Sequence, residues 1–160
     1  KLDQIVFWTM GSLSSSTWQK FVISSCIIIP GVLILNIFGR ELNIMSLGEE
    51  SAHYIGVDVE KLKYIILGIC SLIVGAVVST GGTIGFLGLV APHIVRLIWG
   101  SDYRKLIPYS AIMGSSIMML ADAFGRVLIQ PSEIPVGVMT SIMGGPFFVV
   151  LLKRHRKKGA

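Results

Sequence analysis

The sequence predicts an all-α protein, a polytopic bundle of transmembrane helices with five spans in a single domain over residues 1–160. Hydrophobic residues make up 52% of the chain and charged residues only 14%, whereas about a quarter of a soluble domain is charged. Several apolar segments approach the roughly 20 residues that a helix needs to cross a bilayer. Basic residues flank these segments, which is typical of a multi-pass protein of the cell membrane.

The first three predicted spans cover residues 21–39, 62–79 and 83–99. The first is bracketed by Lys20 and Arg40. The stretch 64–96 would form a single helix of about 50 Å at 1.5 Å per residue, and the hydrocarbon core is only about 30 Å thick. We therefore place a break at STGG, residues 79–82.

The last two predicted spans cover residues 106–129 and 136–152. Between them, QPSEIPVG contains two prolines. Proline lacks the N–H that continues a helix, so we expect a stiff external turn that carries Glu133.

Short cytosolic loops collect Lys and Arg, and this orients the five spans. Eleven basic residues fall on the side of the C-terminus: Arg40, Lys61, Lys63, Arg96, Arg104, Lys105, Lys153, Arg154, Arg156, Lys157 and Lys158. Three fall on the other side: Lys1, Lys20 and Arg126. We therefore expect a cytosolic C-terminus and an external N-terminal end.

The segment GGTIGFLGLVAPHIVRL concentrates small residues inside apolar sequence. Gly81 and Gly85 have the GxxxG spacing and Gly88 extends the stripe, which predicts close packing of helices. Pro92 is expected to kink its helix. A phosphate-binding loop is not indicated, because the lysine of GxxxxGK[ST] is missing. Downstream, His93 is either a satisfied packing residue or part of a relay, and both readings stay open.

A short helix is predicted in the cytosolic loop at residues 46–56. Ser46 and Glu49 have the spacing of a capping box, and Gly56 can end the helix in the left-handed conformation. Asp58 is expected to cap the next helix. The polar face carries Glu49 and Glu50, whereas an interfacial membrane anchor favours Lys and Arg. The loop therefore favours docking to a protein partner.

Asp122 and Arg126 are four residues apart on the fourth predicted span, acid first, which favours an ion pair within the helix. Counted from residue 106, Arg126 lies about 30 Å along the helix and hence at the external surface. A second interpretation is that Asp122 holds Arg126 ready for the carboxylate of a partner.

Several other kinds of site are not indicated. The basic residues do not form a face with interleaved aromatics, so no nucleic-acid partner is expected. Cys26 and Cys70 lack CxxC or Cys/His spacing, and we expect two buried small hydrophobic residues. No metal-ligand cluster, cofactor site or catalytic residue is predicted.

Several separated motifs resemble one family. The segments FWTMGSLSSSTW, LNIMSLGEESAHYIGVDV, GTIGFLGLVAPHIVRLIWGSDYRKLIPYSAIMGSSIMMLADAFGR and PSEIPVGVMTSIMGGPFFVVLL are similar to the C-terminal half of FecCD permeases. These are the membrane subunits of ABC importers for iron-siderophore, haem and cobalamin chelates. The resemblance covers nearly the whole chain and implies the last five helices of a ten-helix type II permease.

The resemblance also implies partners and site residues. Such permeases form homodimers and work with a cytosolic ATPase dimer, which hydrolyses the ATP, and an external substrate-binding protein. The loop SLGEESAHYIGV resembles the coupling helix that enters a cleft of the ATPase. The implied coupling residues are Leu47, Gly48, Glu49, Glu50, Ala52 and Gly56. Arg126 matches an arginine that meets a glutamate of the binding protein, with Glu133 beside it on the external turn.

Two other classes are weighed against an importer permease. A secondary transporter or channel would place ionisable residues near the midplane of the membrane, where the fourth predicted span has none. A purely structural membrane subunit would need no capped cytosolic helix. The carried chelate is not determined by these residues.

Overall fold

The computed structural model describes residues 8–14, 16–128 and 134–158, with residues 150–158 described through their backbone. Seven helices account for most of these residues, and the described part of the chain contains no strand. They are α1 (Trp18–Ile37), α2 (Gly39–Met45), α3 (Glu49–Tyr54), α4 (Val59–Gly81), α5 (Leu87–Trp99), α6 (Tyr103–Leu128) and α7 (Val136–Lys158). The predicted all-α fold is confirmed.

Three of the described helices, α1, α4 and α6, are long and apolar enough to cross a membrane, with 20, 23 and 26 residues. Two shorter apolar helices are α5 and the Val136–Val149 part of α7. An apolar helix therefore occupies each predicted span, and the five crossings stay a prediction.

The third predicted span begins later than expected. Residues 82–86 are not helical, and Phe86 has a left-handed φ of 63° before α5 starts at Leu87. The 13 residues of α5 extend only about 20 Å at 1.5 Å per residue. The break therefore lies at residues 82–86 rather than at the predicted 79–82, because α4 stays helical up to Gly81.

The helices pack through small residues. α1 packs against α4 and α6, and α5 packs against α6 and α7. Buried positions on α5 and α6 include Ala91, Val95 and Ala121. Large apolar side chains point outward instead, as at Ile23 and Leu33 of α1, which are 63% and 60% exposed. Such an exposed apolar surface is typical of contact with lipid or with further protein.

Loop contacts define the two ends of the bundle. At one end, here called the basic end (residues 38–63 and 96–105), α2 touches the start of α6. At the other, here called the ion-pair end (residues 8–14, 81–86, 122–128 and 134–137), the Ser12 N–H donates to the Gly81 carbonyl at 3.0 Å and the Gly137 N–H to the Gly11 carbonyl at 3.2 Å. Among the long helices, α1 thus runs antiparallel to α4 and α6, which both begin at the basic end.

The predicted stripe of Gly81, Gly85 and Gly88 does not form one helical face. Gly81 is the last residue of α4, and Gly82, with a φ of 72°, ends the helix, so Gly85 falls in the following turn. A Cβ at Gly81 would lie 3.4 Å from Leu13, and one at Gly85 would lie 3.5 Å from Ser141. At Gly88 a Cβ would meet no described atom within 4 Å.

Gly144 of α7 makes a tighter contact than any glycine of that stripe. A Cβ at this position would overlap the Cβ of Phe86 and lie 2.8 Å from its Cγ. Gly144 is buried, and the left-handed Phe86 therefore packs directly on the backbone of α7.

We expect Gly144→Ala to lower the stability of the protein by about 1 kcal/mol, because the added methyl group overpacks the contact with Phe86. The matched control is Gly145→Ala, since a Cβ at Gly145 meets nothing within 4 Å. The control should be neutral or slightly stabilising, as alanine favours helix. Thermal unfolding in detergent measures both, and equal melting temperatures would contradict the packing assignment.

Candidate functional site

The loop helix α3 is shorter than predicted and is not held by the predicted capping box. It covers six residues, Glu49–Tyr54, and its N-cap is Gly48, which makes no side-chain cap. Ser46 instead ends α2, where its hydroxyl donates to the Asn43 carbonyl at 2.6 Å. The predicted capping box was wrong, because the chain is already helical up to Met45 and Ser46 therefore lies at the C-terminal end of α2 rather than at the start of α3. Leu47, Gly48 and Gly56 therefore flank α3 rather than belong to it.

The end of α3 follows the prediction closely. Gly56 has a φ of 93°, its N–H donates to the His53 carbonyl at 3.0 Å, and the Val57 N–H donates to the Ala52 carbonyl at 3.0 Å. These two hydrogen bonds form a Schellman motif, in which glycine takes the left-handed position. The carboxylate of Asp58 then accepts from the Lys61 N–H at 3.1 Å and caps α4, as predicted.

α3 has one fully buried side chain and one ion pair to the start of α4. The Ala52 side chain is completely buried. The Nζ of Lys63 lies 2.7 Å from Oε1 of Glu49. Of the two acids singled out in the sequence, Glu49 thus braces α3, and Glu50 stays exposed to solvent.

An exposed apolar group surrounds α3, and the sequence pattern missed most of it. Leu47, Tyr54 and Ile55 are 73%, 90% and 62% exposed. Together with Glu50 they form what we call the α3 surface. A tyrosine exposed to this extent on a rigid element is typical of a protein contact. The sequence feature that could have pointed to Tyr54 was its position two residues before Gly56, the predicted end of the helix.

The start of α6 is tied to α2 by an asparagine that the sequence analysis did not single out. The Nδ2 of Asn43 donates to Oδ1 of Asp102 at 2.6 Å, and its Oδ1 accepts from the Tyr103 N–H at 2.9 Å. The same Asp102 oxygen accepts from the Arg104 N–H at 3.0 Å. We call this arrangement the Asn43–Asp102 junction.

The junction lowers the pKa of Asp102. The main cause is the hydrogen bond from Asn43, followed by the Arg104 N–H and the nearby charges of Arg104 and Lys105. A carboxyl group with a lowered pKa stabilises the folded state above its unfolded pKa, and that contribution is lost as the pH falls through the folded value. The junction is therefore fully formed at neutral pH and weakens only below the ordinary value of 3.8.

The predicted ion pair of α6 is present at the opposite end of the bundle. The Nε of Arg126 donates to Oδ2 of Asp122 at 2.8 Å, and Nη2 lies 3.4 Å from Oδ1. The side chain of Asp122 is 28% exposed and that of Arg126 is 47% exposed. Asp122 therefore holds the guanidinium near the surface at the C-terminal end of α6. Glu133 lies outside the described residues.

A cavity of about 340 Å³ lies between α5 and α7. Pro92, His93 and Arg96 line one wall, with Phe147 and Phe148 opposite. The His93 ring packs edge-on against Phe147, with 5.8 Å between the ring centroids. The Cζ of Arg96 lies 6.0 Å from the centroid of the Tyr103 ring, toward the basic end. The ring contact favours packing for His93, and the packing role of Pro92 stays a prediction.

Metal and thiol chemistry find no support in the described residues. Among these residues no group of three or more His, Cys, Asp or Glu side chains could hold a metal ion. Cys26 and Cys70 are free thiols. Cys26 is exposed and Cys70 half-buried, so the expectation of two buried residues was wrong, because both lie on helix faces that the described part of the bundle leaves uncovered.

An all-α bundle with three membrane-length apolar helices and ion pairs near both ends defines a polytopic helical membrane protein. Residues 1–154 match the FecCD transport family, and the chain belongs to this family.

Individual relatives agree with this assignment. The chain is 40% identical over 158 residues to the hemin transport system permease protein HmuU of Yersinia pestis, covering 99% of this chain and 47% of that protein. It is 40% identical over 148 residues to the cobalamin import system permease protein BtuC of Halobacterium salinarum, covering 92% and 40%. The chain thus spans about half the length of the curated relatives that it matches.

A solved structure extends the agreement to three dimensions. It is described as an inward-facing conformation of a metal-chelate type ABC transporter. The TM-score is 0.89 at 33% sequence identity, over 96% of this chain and 49% of that one. The arrangement of the helices is therefore the one found in half of a transporter chain.

Proposed function

We propose that this chain is part of the membrane permease subunit of an ATP-driven importer for metal chelates of the iron-siderophore, haem or cobalamin kind. One observation carries the proposal. α3 is a short helix braced by Ala52 and the Glu49–Lys63 ion pair, and it presents an exposed apolar and acidic surface at the basic end. A rigid helix outside the apolar spans is suited to transmit force from a soluble partner.

The proposed arrangement assigns one partner to each end. The α3 surface docks in a cleft of a cytosolic ATPase dimer, and Arg126 meets a carboxylate of an external substrate-binding protein. The permease spans the cell membrane with the basic end in the cytosol, which follows the positive-inside rule. A second permease copy completes the pathway, to which α7 contributes one wall. In this arrangement the separate ATPase hydrolyses the ATP, and this chain does not.

Transport would follow from rigid-body movement rather than from chemistry. Closure of the ATPase dimer pushes on α3, and the packed helices tilt so that a central cavity opens alternately to either side. The relatives that carry hemin and cobalamin support this class of cargo. A secondary transporter is less favoured, because the Asp122–Arg126 pair lies in the last turns of α6 rather than at its middle.

The test is reconstitution of the full-length permease with its ATPase and binding protein in proteoliposomes. We expect chelate uptake that requires ATP and the binding protein, and ATP hydrolysis that rises when loaded binding protein is added. Haem, cobalamin and a ferric siderophore are compared as cargo. Uptake driven by an ion gradient without ATP would contradict the proposal and favour a secondary transporter.

A further inference from the structure

Asn43 joins two segments that are distant in sequence. Its side-chain amide uses both polar atoms, with Nδ2 donating to Asp102 at 2.6 Å and Oδ1 accepting from the Tyr103 N–H at 2.9 Å. Asp102 in turn accepts from the Arg104 N–H, in the first turn of α6. One side chain therefore connects α2 both to the segment that caps α6 and to the first residue of α6.

Tight packing beside the junction keeps the same two elements in register. Gly39, the first residue of α2, is buried against Arg104, and a Cβ there would lie 3.2 Å from both the N and the Cα of Arg104. Because backbone atoms are the obstacle, a larger residue at Gly39 would push α2 away from α6. Hydrogen bonding and packing thus fix α2 to α6 independently.

α2 is also linked rigidly to α3. The Leu47 N–H donates to the Ile44 carbonyl at 3.1 Å, the Gly48 N–H to the Met45 carbonyl at 3.1 Å, and the Ala52 N–H to the Gly48 carbonyl at 3.0 Å. The hydroxyl of Ser46 is bonded to the Asn43 carbonyl as well. A displacement of α3 is therefore transmitted directly to α2.

We propose that Asn43 is a positioning residue that couples the α3 surface to α6. The inference rests on the proposed function, since it names the route by which a push on α3 reaches the rest of the permease. α6 runs from Tyr103 at the junction to Arg126 at the ion-pair end, about 35 Å at 1.5 Å per residue. Through this helix Asn43 links the ATPase-facing and binding-protein-facing ends.

The test uses the full-length permease reconstituted with ATPase and binding protein, and it measures chelate imported per ATP hydrolysed. Asn43→Ala should leave co-purification of the ATPase intact and lower that ratio at least about fivefold, because it removes both hydrogen bonds of the amide and a single typical one corresponds to a factor of about five. The matched control is Asn36→Ala, because Asn36 Oδ1 accepts no hydrogen bond from the described residues. The control should keep the wild-type ratio.

Two further variants separate coupling from folding. Asn43→Asp replaces the amide donor by a second carboxylate beside Asp102 and should lower the ratio further than Asn43→Ala does. Gly39→Ala should lower the ratio without removing any hydrogen-bonding group, because the added methyl group would press on the backbone of Arg104.

The outcomes are distinguishable. An unchanged ratio in Asn43→Ala or in Asn43→Asp, with the ATPase still bound, overturns the inference and leaves the proposed function standing. Absence of ATP-dependent import by the wild-type assembly overturns the proposed function and the inference with it.

Discussion

Replacing Tyr54 by alanine in the full-length permease is expected to weaken binding of the cytosolic ATPase about 30-fold, corresponding to the roughly 2 kcal/mol of an interface hot spot. Tyr54 is 90% exposed at the end of α3, and Ile55 beside it is 62% exposed. Because Ala52 and Glu49 fix α3 from the other side, the tyrosine is presented on a rigid element, and its burial costs little conformational entropy. Affinity of the purified ATPase for the permease in nanodiscs measures the effect.

The control for this variant is Tyr64→Ala. Tyr64 is also strongly exposed, at 73%, but lies on α4 within the second predicted span. We expect it to leave ATPase affinity unchanged. Equal effects of the two variants, or no effect of Tyr54→Ala, would remove the α3 surface as the docking site. Glu50→Gln should have a smaller effect than Tyr54→Ala, since an exposed charge contributes mainly to the rate of association.

Reversing Arg126 to glutamate is expected to weaken capture of the substrate-binding protein about 30-fold, because loss of a charge pair at an interface costs about 2 kcal/mol or more. The reversal also places a second carboxylate beside Asp122. The measurement is the affinity of the binding protein for the permease at two salt concentrations. The affinity of the wild-type permease for the binding protein should fall as the salt concentration rises, and the affinity of the variant should change less.

A compensating change tests the direct contact. A glutamate-to-arginine substitution in the binding protein should restore capture by Arg126→Glu. The comparison variant is Asp122→Asn, which keeps the guanidinium but removes the charge that holds it at 2.8 Å, and it should weaken capture only slightly. Failure of every such substitution to restore capture would leave Arg126 as a member of an ion pair within α6.

Features that depend on neighbours within one helical turn followed from the sequence. The Asp122–Arg126 pair, the Asp58 cap and the left-handed Gly56 each involve partners at most four or five residues apart. The backbone geometry of a helix brings such positions together wherever the helix forms. Two local assignments were wrong, the capping box and the glycine stripe, and the capping box depended on where α2 ends. That end could not be predicted, because the loop could be divided into helices in more than one way.

Contacts between segments that are distant in the sequence could not be predicted from the sequence pattern. The Glu49–Lys63 pair, the contact of Gly144 with Phe86 and the Asn43–Asp102 junction connect residues 14, 58 and 59 positions apart. The glycine stripe was misplaced for a different reason: α4 ends at Gly81, and the spacing of Gly81 and Gly85 has no meaning across a broken helix.

By itself the sequence determined that this is an all-α membrane protein of the FecCD family, with a structured polar loop and an ion pair near one helix end. Apolar length, charge distribution and turn residues act locally, so they can be read without coordinates. The tertiary structure alone decided that Glu49 braces α3 while Tyr54 faces outward, and that Asn43 ties this helix to α6. Which side chains are exposed and which pair with distant residues depends on which helices pack together, and that packing is fixed only when the whole bundle forms.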